Sequence, residues 1–171
     1  MKHPHVRRSP VAFPWPDKPF HVVLVEPEIP PNTGNIARLC AATGSTLHLV
    51  GQLGFRLNDR ELKRAGLDYW DSVNMVRHQT FREFTAALPA SRLFFYSTRG
   101  DRSYSAVEYE PGDALVFGSE TSGLPDEILD ANPGRVLAIP MRTDHVRSLN
   151  LATAVGIVLY EALRQQAARP R

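Results

Sequence analysis

The chain is short of several things that would narrow its function at once. It has a single cysteine, Cys40, in 171 residues, which excludes an intrachain disulfide framework and suits a reducing cytoplasm. No apolar run approaches the ~18 residues that a membrane-spanning helix needs, so no membrane partner is expected. The first residues are basic, but no apolar stretch follows them and they do not read as a secretory signal. A cytoplasmic protein is therefore expected. A net charge of +2 is too small to imply nucleic acid by itself. G-x-G-x-x-G and GxxxxGK are both absent, which removes the dinucleotide fingerprint and the P-loop. There is no G-x-S-x-G elbow, no internal repeat and no metal-ligand constellation, since His3 and His5 lack further ligands nearby.

What is present is an ordinary one-domain composition, 43% hydrophobic and 22% charged, with enough length to bury a sound core. Residues 1–19 hold five of the 14 prolines together with Lys2, Arg7 and Arg8. They read as an extended arm with no core of its own, either packed loosely on the surface or touching RNA or a partner chain. Residues 20–171 make the domain.

Residues 20–26 (FHVVLVE) form a β-branched apolar run and read as a buried strand. A rigid proline-rich loop follows. Ile36, Leu39, Cys40 and Thr43 then recur at helical spacing, while Asn32, Asn35 and Arg38 fall three apart on another face near the strand's carboxyl end. Polar residues on such a first turn are either site residues or caps with a surface arginine. Residues 45–50 are a second strand, which gives a β-α-β start and a parallel sheet. The spacing predicts a basic amphipathic helix around residues 59–65. Arg56, Arg60, Lys63 and Arg64 form the densest basic cluster, either a phosphate-contacting surface or a solvated face.

Residues 73–77 read as a short strand, and 80–88 as a helix capped by Thr80 with Glu83 at the capping-box position. Two buried strands follow at 92–97 and 114–117. The second runs into Gly118-Ser119-Glu120-Thr121-Ser122-Gly123-Leu124-Pro125, where two glycines bracket a polar loop and a helix is expected to begin at Pro125. A last strand at 135–139 stops at Pro140. The chain then crosses a loop bearing Arg142, Asp144, His145 and Arg147 and enters a helix from 149 to about 166, with Ser148 as its expected N-cap. That helix is apolar nearly all round from Leu151 to Leu159, which argues for burial on more than one side. Pattern alone describes a doubly wound α/β sheet with a site at the carboxyl ends of its strands.

Three stretches together resemble one family. Asn32-Thr33-Gly34-Asn35-Ile36-Ala37-Arg38, Phe117-Gly118-Ser119-Glu120-Thr121-Ser122-Gly123-Leu124-Pro125, and Ile139-Pro140-Met141 with Ser148-Leu149-Asn150-Leu151-Ala152-Thr153-Ala154-Val155 are similar to the three motifs of the SPOUT-class RNA 2′-O-ribose methyltransferases. The phrase Glu26-Pro27-Glu28-Ile29-Pro30-Pro31-Asn32-Thr33-Gly34-Asn35, with Arg64-Ala65-Gly66-Leu67-Asp68-Tyr69, resembles one subgroup. These are the single-domain tRNA (cytidine/uridine-2′-O)-methyltransferases of the wobble position, the TrmL/YibK type. The arm before Phe20 has no counterpart in that pattern.

The resemblance implies an α/β parallel-sheet SPOUT fold with helices on both faces and a C-terminal deep trefoil knot. General chain rules would not have suggested the knot. It further implies S-adenosylmethionine as cofactor, S-adenosylhomocysteine as product, no metal, a homodimer, and tRNA crossing both subunits. Tyr96, Thr98, Gly118, Glu120, Gly123, Ile139, Met141, Ser148 and Leu149 carry over to the cofactor. Gly118 and Gly123 are expected to let the backbone approach closely.

Arg38, Asn35 and Glu120 carry over to catalysis. A guanidinium stays protonated, so Arg38 would clamp a phosphate and stabilise the developing alkoxide, with a phosphate oxygen or Glu120 taking the proton. Arg38, Arg60, Lys63, Arg64, Asn150 and Tyr160 are the candidates for RNA. The row Leu149, Ala152, Gly156, Leu159 and Leu163 is the expected dimer stripe that the resemblance favours, the alternative being a helix buried only in its own core. The rival functions are the same chemistry on another RNA such as ribosomal RNA, a non-catalytic RNA-binding module of the same fold, and a flavodoxin-like nucleotide binder.

Overall fold

The computed structural model describes residues 11–58, 60, 64, 70–142 and 145–170. Among these, seven strands form one wholly parallel sheet. They are β1 (His21–Val25), β2 (Thr46–Val50), β3 (Met75–His78), β4 (Leu93–Tyr96), β5 (Arg102–Ser103), β6 (Ala114–Phe117) and β7 (Val136–Ala138). Their order is β3-β2-β1-β6-β4-β7-β5. The chain thus winds outward from β1 in one direction, returns to the other side, and inserts β6 and β7 between strands already laid down. The helices are α1 (Pro30–Thr43), α2 (Phe81–Ala87), α3 (Asp126–Asp130) and α4 (Leu151–Ala168).

The unbroken apolar runs are explained by helices covering both faces, as parallel sheets require. Alternate side chains of β1 go opposite ways. Val22 and Leu24 join a core with Ile36 and Cys40 of α1 and with Val155, Val158 and Leu159 of α4. Val23 and Val25 join a second core with Phe84 of α2 and Leu129 of α3. Cys40 is fully buried, and burial pushes its thiol pKa up to about 12. Phe13 of the arm packs against the first core, its ring 4.5 Å from that of Trp15 at a tilt of 52°, and Trp15 is 49% exposed.

The strand expectations hold to within two residues, and 114–117 holds without change. β5, only two residues long, was not expected. Thr80 caps α2 by accepting from the Glu83 amide at 3.1 Å. The Glu83 carboxylate reaches one residue further back than a capping box does, to the Gln79 amide at 2.6 Å.

Four expectations are corrected. Pro125 is the N-cap, not the first helical residue, because its ψ of 142° leaves it extended and α3 starts at Asp126. Ser148 does not cap α4; Asn150 does, its Oδ1 accepting from the Thr153 amide at 3.2 Å. Asn32 and Asn35 do not cap α1, whose N-cap is Ile29 with no side-chain bond. The proposed stripe on α4 also splits. Leu159 and Leu163 are core residues at 0% and 1% exposure, packed in the first core with the apolar side chains of β1 and α1. The open face of α4 instead carries Thr153, Tyr160 and Arg164, beside half-buried Ala152, Gly156 and Ile157. The expected helix around 59–65 lies outside the described residues except for Arg60 and Arg64, both exposed. Lys63 also lies outside them.

A chain of three histidines crosses β1, β2 and β3. His21 Nδ1 and His48 Nε2 are 2.9 Å apart, as are His48 Nδ1 and His78 Nε2, under the edge of Phe84. His48 uses both ring nitrogens, so the three rings do not converge on one point. Burial first, then repulsion from the flanking imidazoles, lowers the His48 pKa to about 3. Burial likewise lowers His21 and His78.

Candidate active site

The carboxyl ends of β4, β6 and β7 open into a cleft of about 640 Å³, on the edge of a parallel sheet where ligands characteristically bind. Each strand contributes the loop that follows it: residues 96–99 after β4, 117–124 after β6, and Ile139 with Met141 after β7. Residues 147–151, entering α4, close the remaining side with Ile29 and Asn32.

The β6 loop is pinned at its base. Ser119 and Gly123 exchange backbone bonds at 3.2 and 3.0 Å, which brings the two limbs of the loop together. A Cβ on Gly118 would stand 2.0 Å from the Gly123 carbonyl carbon, so no side chain fits. Gly123 is required for a different reason: its φ is +69°, while a Cβ there would meet nothing within 4 Å. The expected close approach is therefore real at Gly118, as a contact between the loop's own limbs, and is not the reason for Gly123.

The apolar wall includes Tyr96 and Phe117, whose rings stack at 4.7 Å and 15°. The Tyr96 hydroxyl points away into the core, donating to Tyr109 Oη at 2.9 Å. Burial holds its pKa well above the usual phenol range. Tyr96 thus lends the cleft the side of its ring, with its hydroxyl turned into the core.

The polar side is a network centred on Asn32. Glu120 accepts from the Glu28 amide at 2.8 Å, the Ile29 amide at 3.1 Å and Asn32 Nδ2 at 3.1 Å. Asn150 Nδ2 donates to Asn32 Oδ1 at 3.0 Å. Thr121 donates to the Glu28 carboxylate at 2.7 and 2.9 Å. All three motif segments meet here, and the loop before α1 is fixed by a carboxylate that both fastens its amides and orients Asn32. The Ala152–Val155 turn is joined through the Asn150 cap.

Every residue assigned to the cofactor lines this cleft: Tyr96, Thr98, Gly118, Glu120, Gly123, Ile139, Met141, Ser148 and Leu149. Asn150 does too. Asn35 and Arg38 lie exposed on α1 and are not among the lining residues. Arg60, Arg64 and Tyr160 are likewise exposed and outside it. Asn32 was visible in the first motif but was not expected at the hub. Arg99 and Asp126 were missed altogether. They sit at the mouth as an exposed ion pair at 2.6 Å, and nothing in the spacing of 99 and 126 signals it.

The SpoU rRNA Methylase family matches residues 19–160. The chain belongs to that family. This SpoU-family chain is 52% identical over 147 residues to the Escherichia coli (strain K12) tRNA (cytidine(34)-2′-O)-methyltransferase, covering 85% of this chain and 93% of that one. It is 50% identical to the enzyme of the same name from Methylovorus glucosotrophus, across 95% of that chain. A solved structure concerned with the 2-OH methylation of C/U34 on tRNA superposes with a TM-score of 0.84 at 49% identity, covering 89% of this chain and 99% of that one. The SpoU methyltransferase AviRb from Streptomyces viridochromogenes, in complex with AdoMet, superposes at 0.81 with 25% identity, over 92% of this chain and 64% of that one. The sheet and helices of this chain are therefore those of the SPOUT methyltransferases.

Proposed function

We propose that the protein is a tRNA 2′-O-methyltransferase that moves the methyl group of S-adenosylmethionine to the ribose 2′-hydroxyl of the wobble nucleotide, cytidine or uridine 34. The observation that carries this is the 52% identity to the Escherichia coli tRNA (cytidine(34)-2′-O)-methyltransferase across 93% of its length; uridine is added from the solved structure concerned with C/U34. The family name speaks of ribosomal RNA, but the relatives near half identity are named for tRNA.

The cleft suits an adenosyl group. Ile139, Leu149, Leu151 and Phe117 give the cleft apolar lining, and the loops at 118–123 and 147–150 line it beside them, the mixture of apolar surface and loop backbone that an adenosyl group needs. When bound, the cofactor supplies a sulfonium-activated methyl group and a good leaving group. The chain's own task is to hold the two reactants in line and help the hydroxyl lose its proton. Arg38, permanently charged, clamps an RNA phosphate and offsets charge on the ribose oxygen, and Asn35 orients the ribose. Glu120 already accepts three bonds, which favours a phosphate oxygen as the proton acceptor and leaves Glu120 to hold the loops.

We further infer a homodimer with the trefoil knot and RNA spanning both subunits. The exposed side of α4, with Tyr160 half exposed, supports a second copy there. A cytoplasmic location fits a tRNA substrate and a single thiol. No helix among the described residues is long and apolar enough to cross a membrane.

Methyl-labelled cofactor incubated with bulk tRNA, followed by nucleotide mapping, should give a 2′-O-methyl group at the wobble position. Label entering only ribosomal RNA would overturn the substrate assignment.

A further inference from the structure

On the same carboxyl edge of the sheet, a second cavity of about 370 Å³ opens at the ends of β2 and β3. Phe55, Leu53 and Leu57 form its apolar side, and the two leucines are anchored on the main core. Gln52 and Gln79 stand exposed at its rim. Its base is Arg77, whose guanidinium donates to the carbonyls of Leu49 and His78 at 3.0 and 3.1 Å and to that of Gly51. Three carbonyls hold the cation still, so it forms a fixed floor.

The wall is braced against the main cleft. Gly51, with φ of +80°, sits where a Cβ would be 2.7 Å from Glu26 Cγ, and a Cβ on Gly54 would be 2.8 Å from the Glu28 Cα. Glu26 itself has φ of 52°, a conformation that L side chains rarely adopt and that persists where surrounding packing enforces it. Glu28 in turn is fastened to Glu120 through its amide. The second cavity and the cleft therefore share one rigid loop, residues 26–29.

We propose that this cavity is a base-binding subsite for the RNA substrate, taking one unstacked nucleobase from the strand that flanks the methylated nucleotide. It rests on the methyltransferase reading above. A half-buried aromatic ring offers a π-face to any base, and two primary amides offer donors and acceptors to a base edge. Exposed Arg56, beside Phe55 in the chain, and exposed Arg60 and Arg64 supply charge for phosphates. A single-stranded loop is the RNA element whose bases can be splayed into such a pocket.

The test uses the full chain with S-adenosylhomocysteine and an anticodon stem-loop RNA, read by fluorescence anisotropy. A matched series replaces each loop nucleotide flanking the wobble position by an abasic ribose. One abasic position should weaken binding to the wild type about tenfold. Phe55→Leu should bind the intact loop about tenfold more weakly and show no further loss at that position. Gln79→Ala, an exposed site, should show a smaller loss at the same position and decides the matter if Phe55→Leu does not fold. Unchanged cofactor affinity in either variant shows that the fold is kept. Wild-type affinity for the intact loop in both variants, or losses that simply add at every position, would overturn the subsite. If the wild type ignores the stem-loop and methylates another RNA, the wobble assignment fails, and the abasic series on that RNA's methylated segment decides the subsite.

Discussion

Asn32 Nδ2 donates to Glu120 Oε1 at 3.1 Å across 88 residues of sequence, while Asn32 Oδ1 accepts from Asn150 at 3.0 Å. One amide, buried to 7% exposure, thus holds together the helix bearing Arg38 and two walls of the cleft. Asn32→Ala leaves both neighbours short of a partner and should cost about 1–3 kcal/mol of stability. Calorimetric titration should show weaker cofactor binding as well. Asn32→Asp, which sets a second carboxylate against Glu120, should be worse than Asn32→Ala in thermal melts.

Arg38 stands outside the lining of the cleft. Arg38→Ala should lower turnover on the order of a hundredfold or more and leave the cofactor dissociation constant within experimental error of wild type. Single-turnover methyl transfer checks the first part and titration the second. Unchanged turnover would remove Arg38 from the chemistry.

Gly118→Ala introduces a methyl group at a point 2.0 Å from the Gly123 backbone. The loop must open to admit it, so cofactor binding should be lost or much weakened, with a lower melting temperature. Gly156→Ala is the control within one chain. Apart from its chain neighbours and the backbone of its own helix, the added carbon meets nothing within 4 Å among the described residues, and a helix-interior glycine gains about 1 kcal/mol on becoming alanine. A stabilised protein with weaker self-association, measured by analytical ultracentrifugation, would place Gly156 against a second copy.

Leu159 and Tyr160 are neighbours in α4 with opposite surroundings. Leu159→Ala should cost about 2–5 kcal/mol in urea unfolding, because the side chain is wholly buried. Tyr160→Ala, at a half-exposed site, should leave monomer stability nearly unchanged and raise the dimer dissociation constant.

The histidine chain sets the acid side of the stability profile. His21, His48 and His78 all have pKa values below 6.5 in the folded protein, so above about pH 6.5 both states are neutral and their contribution is fully present. As pH falls below 6.5 the unfolded chain takes up protons that the folded one resists, and stability declines toward the folded value of about 3 for His48. Each proton taken up on unfolding contributes a limiting slope of about 1.4 kcal/mol per pH unit. Urea midpoints at pH 7.5, 6 and 5 should fall in that order, and His48→Phe should flatten the trend.

The parallel sheet was legible because the apolar runs at 20–26, 45–50 and 114–117 are short and bounded by glycine or proline, which marks them as strands covered on both faces. The cleft was legible because its loops carry contiguous motifs, and the nine residues assigned to the cofactor line it together. Less legible was anything that depends on which turn of a helix faces which neighbour. Leu159 and Leu163 fit an interface row as well as a core row until α4 is docked on the sheet. Ser148 and Asn150 both suit a cap, and only the partnership of Asn150 with Asn32 decides between them. The Arg99–Asp126 pair and the cavity over Arg77 arise where distant loops meet, and local spacing carries no trace of either.

Cys40, the chain's sole thiol, is sealed beneath α1 with its ionisation suppressed. Disulfide reagents react with thiolates, so in the native protein they should find almost nothing to attack. Labelling must wait for the first core to open, which makes its rate a clock for opening of the first core. A cofactor that stabilises only the folded state should slow that clock in proportion to its occupancy, giving a readout of binding that needs no RNA.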